Sequence, residues 1–547
     1  MADSNVLGKR QEKEGEEKVA APAADTTAVK EEGGQAKKAR IEETSSPEKN
    51  KGGRPNSHKG GNKSGGGGRD RRDRRGGGDG QREDAAEDGE DGGRLPKRKV
   101  SVYFGYCGIG YSGLQINPGV KTIEGDIFEA FCKAGAVSKD NAVNPNKVGL
   151  QRAARTDRGV HAAGNLLTLK LILEPTGVEA GGLVSRVNDL LPPFIRIWGL
   201  TRVQNSFNAR TSCDSRQYEY LLPTYVFLPP KPGSAMWQTM SKSASSSAQS
   251  DEQNALLSSL LDHPFWQQQG SDKTFAEDTA AKKAWRMPQE QLERVRKIFA
   301  HYLGSHNFHN FTVGKPFRDR SAQRHMLKLT ISDPKIINET EWVSIKFHGQ
   351  SFMLHQIRKM IGLLILIGRT AAPDTLVPET YGPARIHVPK APGLGLLLEQ
   401  PIFEMYNKRL LDNLKRQNDQ SSEAGPGDGL VKKDDVVFAR FADEMEKFKE
   451  QWIYQRIYKE EEEKHEYSKF LQYLDVFVGP DFEYLNPRGI ITQSSIIKVG
   501  EQHRMHDEAA KKKQDKEKKE EEAAAAQEES DDDDEALLKG NQAELEG

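Results

Sequence analysis

Between Val100 and Leu222 the hydrophobic period switches repeatedly between two and three to four, and the order of those switches restricts the fold more than any single residue does. Val100, Val102, Phe104 and Tyr106 alternate as in a half-buried strand. Residues 123–134 have helical spacing, and 148–154 read as a short strand. Leu167, Leu169, Leu171 and Leu173 share one face of a further strand over 165–173. Leu183, Val184, Val187, Leu190 and Leu191 return to helical spacing and stop at Pro192-Pro193. Strands follow over 195–203 and 216–222. The order strand, helix, strand, strand, helix, strand, strand is that of a ferredoxin-like unit with one extra strand.

A second run repeats the theme. Leu292, Val295, Ile298, Phe299, Tyr302 and Leu303 have helical spacing, strands are expected over 326–331 and 342–347, an apolar helix over 352–367 and a strand at 396–398. The expectation is an α+β chain of two ferredoxin-like halves whose antiparallel sheets flank a central cleft. The halves are bounded at 97–230 and 289–406, with a Ser/Ala/Gln-rich surface insertion at 231–288. A polar linker at 407–434 leads to a helical extension at 435–502, where Phe441, Met445, Phe448 and Trp452 form an apolar stripe for the core.

The flanks at 1–96 and 503–547 offer little to bury and read as disordered tails. Within the first, glycines alternate with Arg69, Arg71, Arg72, Arg74 and Arg75, a cationic tether suited to phosphate backbones. Lys37-Lys38-Ala39-Arg40 and Lys97-Arg98-Lys99 match nuclear-import signals, a pattern with many false positives. A net charge of -1 hides this sorting of charge by region. Cys107, Cys132 and Cys213 form no CxxC and no disulfide framework, which points to a reducing compartment. There is no apolar core of a signal peptide and no apolar run of membrane-spanning length.

Chemistry concentrates in residues 152–165. Asp157 stands between Arg155 and Arg158, in a segment that Gly159 breaks and Ala162, Ala163 and Gly164 keep small. Opposite charges nearby favour an ionised carboxylate, so the pattern predicts an acid held ready as an anion. On the strand at 216–222, Arg216, Tyr218 and Tyr220 share a face. Gly108-Ile109-Gly110-Tyr111-Ser112-Gly113 is formally a GxGxxG after a strand, but Asn117-Pro118-Gly119 puts turn chemistry where a dinucleotide fold needs a helix. His306 and His309 lack the intervening Glu and neighbouring cysteines of a zinc site, so no metal is expected.

Six segments, GYCGIGYSGLQ from Gly105, ARTDRGVHAAG around Asp157, SFNARTSCDSRQYEY from Ser206, HNFHNFT from His306, FMLHQIRKMIG from Phe352 and APGLGLLLE from Ala391, together resemble the TruA family of tRNA pseudouridine synthases, in its eukaryotic nuclear branch. They run in family order over 97–406. The resemblance implies conversion of uridine to pseudouridine in folded RNA without a cofactor, on a uridine flipped from its stack. It implies Asp157 as the catalytic residue and Arg155 as its partner or a contact to the target nucleotide. Tyr218 would stack on the uracil and take the C5 proton, Arg358 would be a salt-bridge partner of Asp157, and Leu396 a pocket leucine, although GLGLLLE permits a slipped register. Asn165 departs from the glutamine of many relatives and touches only a local hydrogen bond.

Arg152, Arg158, Arg210, Arg318, Arg320 and Arg324 are candidates for tracking an RNA backbone. Transfer RNA is the implied partner, with messenger and small nuclear RNA left open, and neither a membrane nor a small-molecule cofactor is expected. A monomer is preferred, since the extension after Asn407 can cover the surface through which bacterial relatives dimerise. The implied location is the nucleus, with a mitochondrial pool left open. Two other readings compete: a non-catalytic RNA-binding or RNA-chaperone protein on the same fold, and a nucleotide-dependent oxidoreductase resting on the Gly108 run alone.

Overall fold

The computed structural model describes residues 95–243, 250–269, 273–420 and 434–498. The basic cluster at 37–40, the Arg/Gly segment at 65–80 and the acidic run at 531–534 lie outside them. In chain order the first elements are β1 (Lys97–Tyr106), α1 (Ile123–Lys133), β2 (Gln151–Arg152), β3 (His161–Ile172), α2 (Leu183–Leu190), β4 (Ile195–Arg202) and β5 (Ser215–Pro223). Helices at Ala235–Ser243, Asp251–Leu261 and Phe275–Ala284 occupy the expected insertion. Then follow α3 (Gln289–Ala300), β6 (Gly304–Asn307), β7 (Gln323–Ile331), β8 (Lys335–Ile337), β9 (Thr340–Gly349), α4 (Gln356–Gly368) and β10 (Leu396–Ile402). α5 (Glu404–Gln420) runs through the start of the segment read as a linker, and α6 (Ala442–Phe448), a π-helical turn (Lys449–Tyr454), α7 (Gln455–Lys464) and α8 (Glu466–Val476) complete the order. No helix among the described residues is long and apolar enough to cross a membrane.

Among the described residues all ten strands belong to one mixed sheet, in the order β4-β1-β3-β10-β5-β9-β7-β6, with β2 also pairing β3 and β8 pairing β9. Two separate antiparallel sheets are therefore not what forms. β10 is the reason: it pairs parallel with β3, Leu397 opposite His161, and antiparallel with β5, Leu398 opposite Tyr218. The join lies four residues past Asp157, and this places the Asp157 loop beside Tyr218.

β1 is buried on both faces from Val100 to Tyr106 rather than half-buried. The C-terminal helices cover its far side, with Tyr103 against the rings of Phe438 and Phe441 at centroid distances of 5.0 and 5.1 Å. Phe441 also presses on Gly199 of β4, where a Cβ would stand 2.5 Å from the ring. The predicted apolar stripe thus packs on the core, Phe448 meeting Trp198 and Trp452 meeting Phe194. Beneath it Lys449 reaches Glu399 of β10 at 3.0 Å and Tyr454 donates to Glu219 of β5 at 2.6 Å. Burial, against the pull of Lys449, pushes the Glu399 carboxyl up to about 7. An unpaired buried carboxylate is costly, so these contacts fasten the extension to the back of the strand that carries Tyr218.

The expected strand over 148–154 shrinks to Gln151–Arg152, because Gly149 takes a left-handed backbone (φ 67°) before it and the chain leaves for the Asp157 loop after it. β3 instead begins early, at His161: its first residues, His-Ala-Ala-Gly, carry no apolar alternation but pair with β1 and β10. Lys97-Arg98-Lys99 is the start of β1, with Lys97 bonded to Ser138 and Lys99 to the Asn205 carbonyl. α4, buried nearly all round as its apolar sequence demands, starts at Gln356 rather than 352, because His355 adopts a left-handed backbone (φ 61°).

Candidate active site

The loop between β2 and β3 is pinned on both sides of Asp157. The Tyr106 hydroxyl lies 2.7 Å from Thr156 Oγ1, the Leu114 amide donates to the Thr156 carbonyl at 3.2 Å, and the Val160 amide closes the turn on the Asp157 carbonyl at 3.1 Å. Asn165 donates to the Ala154 carbonyl at 3.2 Å, so the residue that departs from the family pattern still holds this loop. The glycine run acts as a buttress. Gly108 passes so close to the loop that a Cβ would stand 2.1 Å from the Val160 carbonyl oxygen, and its amide donates to His161 Nδ1 at 3.3 Å. No helix opens after it until Ile123, which removes the geometry for binding a dinucleotide there.

Asp157 lies on a cavity of about 650 Å³, a usual size for a small-ligand site. Arg155, Tyr218, Arg358 and Leu396 line the same cavity, although they span more than two hundred residues of sequence. Leu396 is the leucine of the GLGLLLE run on the lining, which fixes the register that the sequence leaves ambiguous. The Tyr218 ring stands edge-on to Phe352, centroids 5.0 Å apart at 76°. Burial pushes its hydroxyl up to about 12, opposed by the charge of Arg216.

The charges around Asp157 differ from the expectation. Among the described residues the basic side chain within 4 Å of it is His355, Nδ1 to Oδ2 3.6 Å, and neither Arg155 nor Arg158, both exposed, comes that close. Arg358 does not form the expected salt bridge either. Its Nε donates to the Ala391 carbonyl at 2.7 Å, and burial lowers its pKa, opposed by the charges of Tyr220 and Asp157. Sequence proximity of Arg and Asp therefore does not make a pair here.

Several lining residues escaped the sequence reading. Arg216 donates to the Ala153 carbonyl at 2.8 Å and to the Gln350 carbonyl at 3.1 Å, tying the two loops that wall the cavity. Its shared face with Tyr218 was the available signal. His355 and Leu354 fit no periodic pattern, and their place in the FMLHQIRKMIG segment was the available signal. Of the candidate backbone-tracking arginines, Arg210 lines the cavity and is exposed. Arg152 lines it too, but its guanidinium is committed to the fully buried Glu124, at 2.6 and 3.0 Å. His306 stacks on Tyr381 at 4.2 Å, an aromatic packing role. No cluster of potential metal ligands occurs among the described residues.

A family model described as tRNA pseudouridine synthase matches residues 298–404. The chain is 43% identical over 436 residues to tRNA pseudouridine synthase 1 of Yarrowia lipolytica, covering 73% of this chain and 78% of that protein. It is 37% identical over 487 residues to the protein of the same name in Schizosaccharomyces pombe, covering 73% and 87%. With the tRNA pseudouridine(27/28) synthase of Saccharomyces cerevisiae it shares 35% identity over 400 residues, 69% of this chain and the whole of that one.

Proposed function

The chain belongs to the TruA family of tRNA pseudouridine synthases, and from that premise we propose how it works. It is an enzyme that isomerises uridine to pseudouridine in transfer RNA. Asp157 is the reacting carboxylate, and what supports this is its position on a cavity that Arg155, Tyr218, Arg358 and Leu396 also line. The C1′–N1 bond breaks and a C1′–C5 bond forms, while the C5 proton is replaced by one on N1. Atoms balance as an isomerisation with no co-reactant. Asp157 supplies the electron pair that assists departure of uracil, and it needs no proton to do so.

The freed uracil must turn without escaping. Tyr218 and Phe352 offer an aromatic wall, Leu396 an apolar one, and Arg358 a fixed cation for the anion that uracil becomes when it leaves. At neutral pH the Tyr218 phenolate would cost about 7 kcal/mol to form, from a hydroxyl pKa of about 12, so stacking suits this residue better than removal of the C5 proton. Arg155 and Arg210, exposed at the rim, meet the phosphates of the target strand. Extruding the uridine costs a few kcal/mol, which favours positions that are already strained or looped.

The sheet is best read as two ferredoxin-like halves. The orders β4-β1-β3-β2 and β10-β5-β9-β7 each run fourth, first, third, second, so β5 is the opening strand of the second half rather than an extra strand of the first. That moves the boundary near 230 upstream of β5. The nucleus is the proposed location, supported by the cluster at 37–40, and a fluorescent fusion with those basic residues changed to Ala should lose nuclear accumulation.

The activity is tested by incubating the purified chain with transfer RNA transcripts and locating carbodiimide-modified pseudouridines by reverse-transcription stops. New stops at defined uridines are expected. Tight binding with no stop in any transcript would favour the RNA-binding reading.

A further inference from the structure

Among the described residues, His355 is the one beside Asp157 whose backbone and side chain both lack an ordinary structural explanation. It holds a left-handed conformation, φ 61° and ψ 6°, which is uncommon and strained for a non-glycine residue. It caps α4 without a side-chain capping bond. Its ring Nδ1 is buried with no hydrogen-bond partner, 3.6 Å from Asp157 Oδ2, just outside bonding distance. Its neighbours hold it in place. The Met353 amide donates to Gln356 Oε1 at 2.9 Å, Thr312 Oγ1 donates to the Leu354 carbonyl at 3.0 Å, and the Lys359 amide donates to the His355 carbonyl at 3.0 Å.

We propose that His355 is a positioning residue for the reaction: when a flipped uridine fills the cavity, its Nδ1–H closes on Asp157 Oδ2, fixing the carboxylate rotamer and leaving Oδ1 directed at the sugar. The inference rests on Asp157 being the reacting carboxylate. A donor that is neutral suits the task, because a full cation in contact would stabilise the carboxylate against reacting. Burial, with Lys390, Arg358 and Lys359 adding to it and Asp157 opposing, lowers the His355 pKa below its ordinary value. The ring is therefore uncharged at neutral pH, and the tautomer with the proton on Nδ1 is the donor. The strained backbone is what brings this nitrogen, on the element that also carries Arg358, to the edge of the opposite loop.

Two substitutions separate orientation from folding, since both tolerate a left-handed backbone. His355→Asn keeps an amide N–H near the Nδ1 position, and His355→Gly removes the donor. Both are compared with the wild type in single-turnover reaction, KM, transfer RNA affinity and thermal melting. His355→Gly should lower the single-turnover rate about 10- to 100-fold, the scale of a misplaced reacting group, with KM and affinity within about threefold. His355→Asn should recover most of that loss. Equal rates for the two variants, whether at the wild-type level or below it, would overturn the proposal. An Asp157→Asn control that still forms product would instead overturn the reading of Asp157, whatever His355 does.

Discussion

Alanine at Gly108 adds one methyl group where the glycine turn presses on the Asp157 loop. Its Cβ would stand 2.1 Å from the Val160 carbonyl oxygen, 2.8 Å from the Val160 carbonyl carbon and 3.0 Å from the Gly159 carbonyl carbon, against an ordinary contact of 3.4 Å or more. These are backbone atoms, so no rotamer change relieves the overlap, and the two segments must part by about 1 Å. Either the 108–113 turn lifts, weakening the Gly108 to His161 and Leu114 to Thr156 bonds, or Gly159 and Val160 shift and take Asp157 with them. Overpacking of this kind costs about 1–3 kcal/mol of stability. A reacting group displaced by about 1 Å loses on the order of 100-fold in rate. The assay is single-turnover pseudouridine formation beside urea unfolding and transfer RNA binding. The expected result is a rate loss near 100-fold with affinity almost unchanged. A stability loss without a rate loss would refute the idea that the glycine turn positions the Asp157 loop.

Two further outcomes follow from buried charge. His161 is fully buried, and burial pushes its pKa down to about 4 from an ordinary 6.5, with Glu460 opposing and Arg456 adding. Its stabilising contribution is thus complete above about pH 6.5 and is lost as pH falls towards 4, about 3 kcal/mol across that window. In urea unfolding, His161→Asn, which keeps an acceptor for the Gly108 amide, should flatten the slope between pH 6.5 and 4.5 relative to wild type; identical slopes would count against it. Arg152→Ala strands the buried Glu124 carboxylate and should destabilise by about 3 kcal/mol or more. The salt dependence of transfer RNA affinity should not change, and a shallower slope would return Arg152 to the RNA-tracking set.

Local pattern and long-range pairing differ in how far the sequence exposes them. The helices at 123–134 and 352–367 and the strands at 195–203 and 216–222 are legible because each carries its own period, and the structure moves their ends by only a few residues. The parallel pairing of β10 with β3 has no local signal, so a single sheet reads as two. α5 hides in a polar segment because its packing face is narrow, with Tyr406 and Leu410 buried. In the site, Asp157, Arg155, Tyr218, Arg358 and Leu396 are legible by type and motif and do share one cavity. What their neighbours do is not: Arg152 turns to a glutamate 28 residues earlier, Arg358 to a backbone carbonyl, and His355 reaches Asp157 only through a left-handed backbone. Such partner choices depend on tertiary distance, which periodicity does not encode.

The central claim is that Asp157 carries out the isomerisation. Transfer RNA labelled with tritium at uracil C5 is incubated, without added cofactor, with the wild-type chain and with Asp157→Asn, and solvent tritium and RNA affinity are measured together. The account predicts release by the wild type alone, with both proteins binding the RNA nearly equally. Release by Asp157→Asn at the wild-type rate, or none from either protein while binding stays tight, would contradict it.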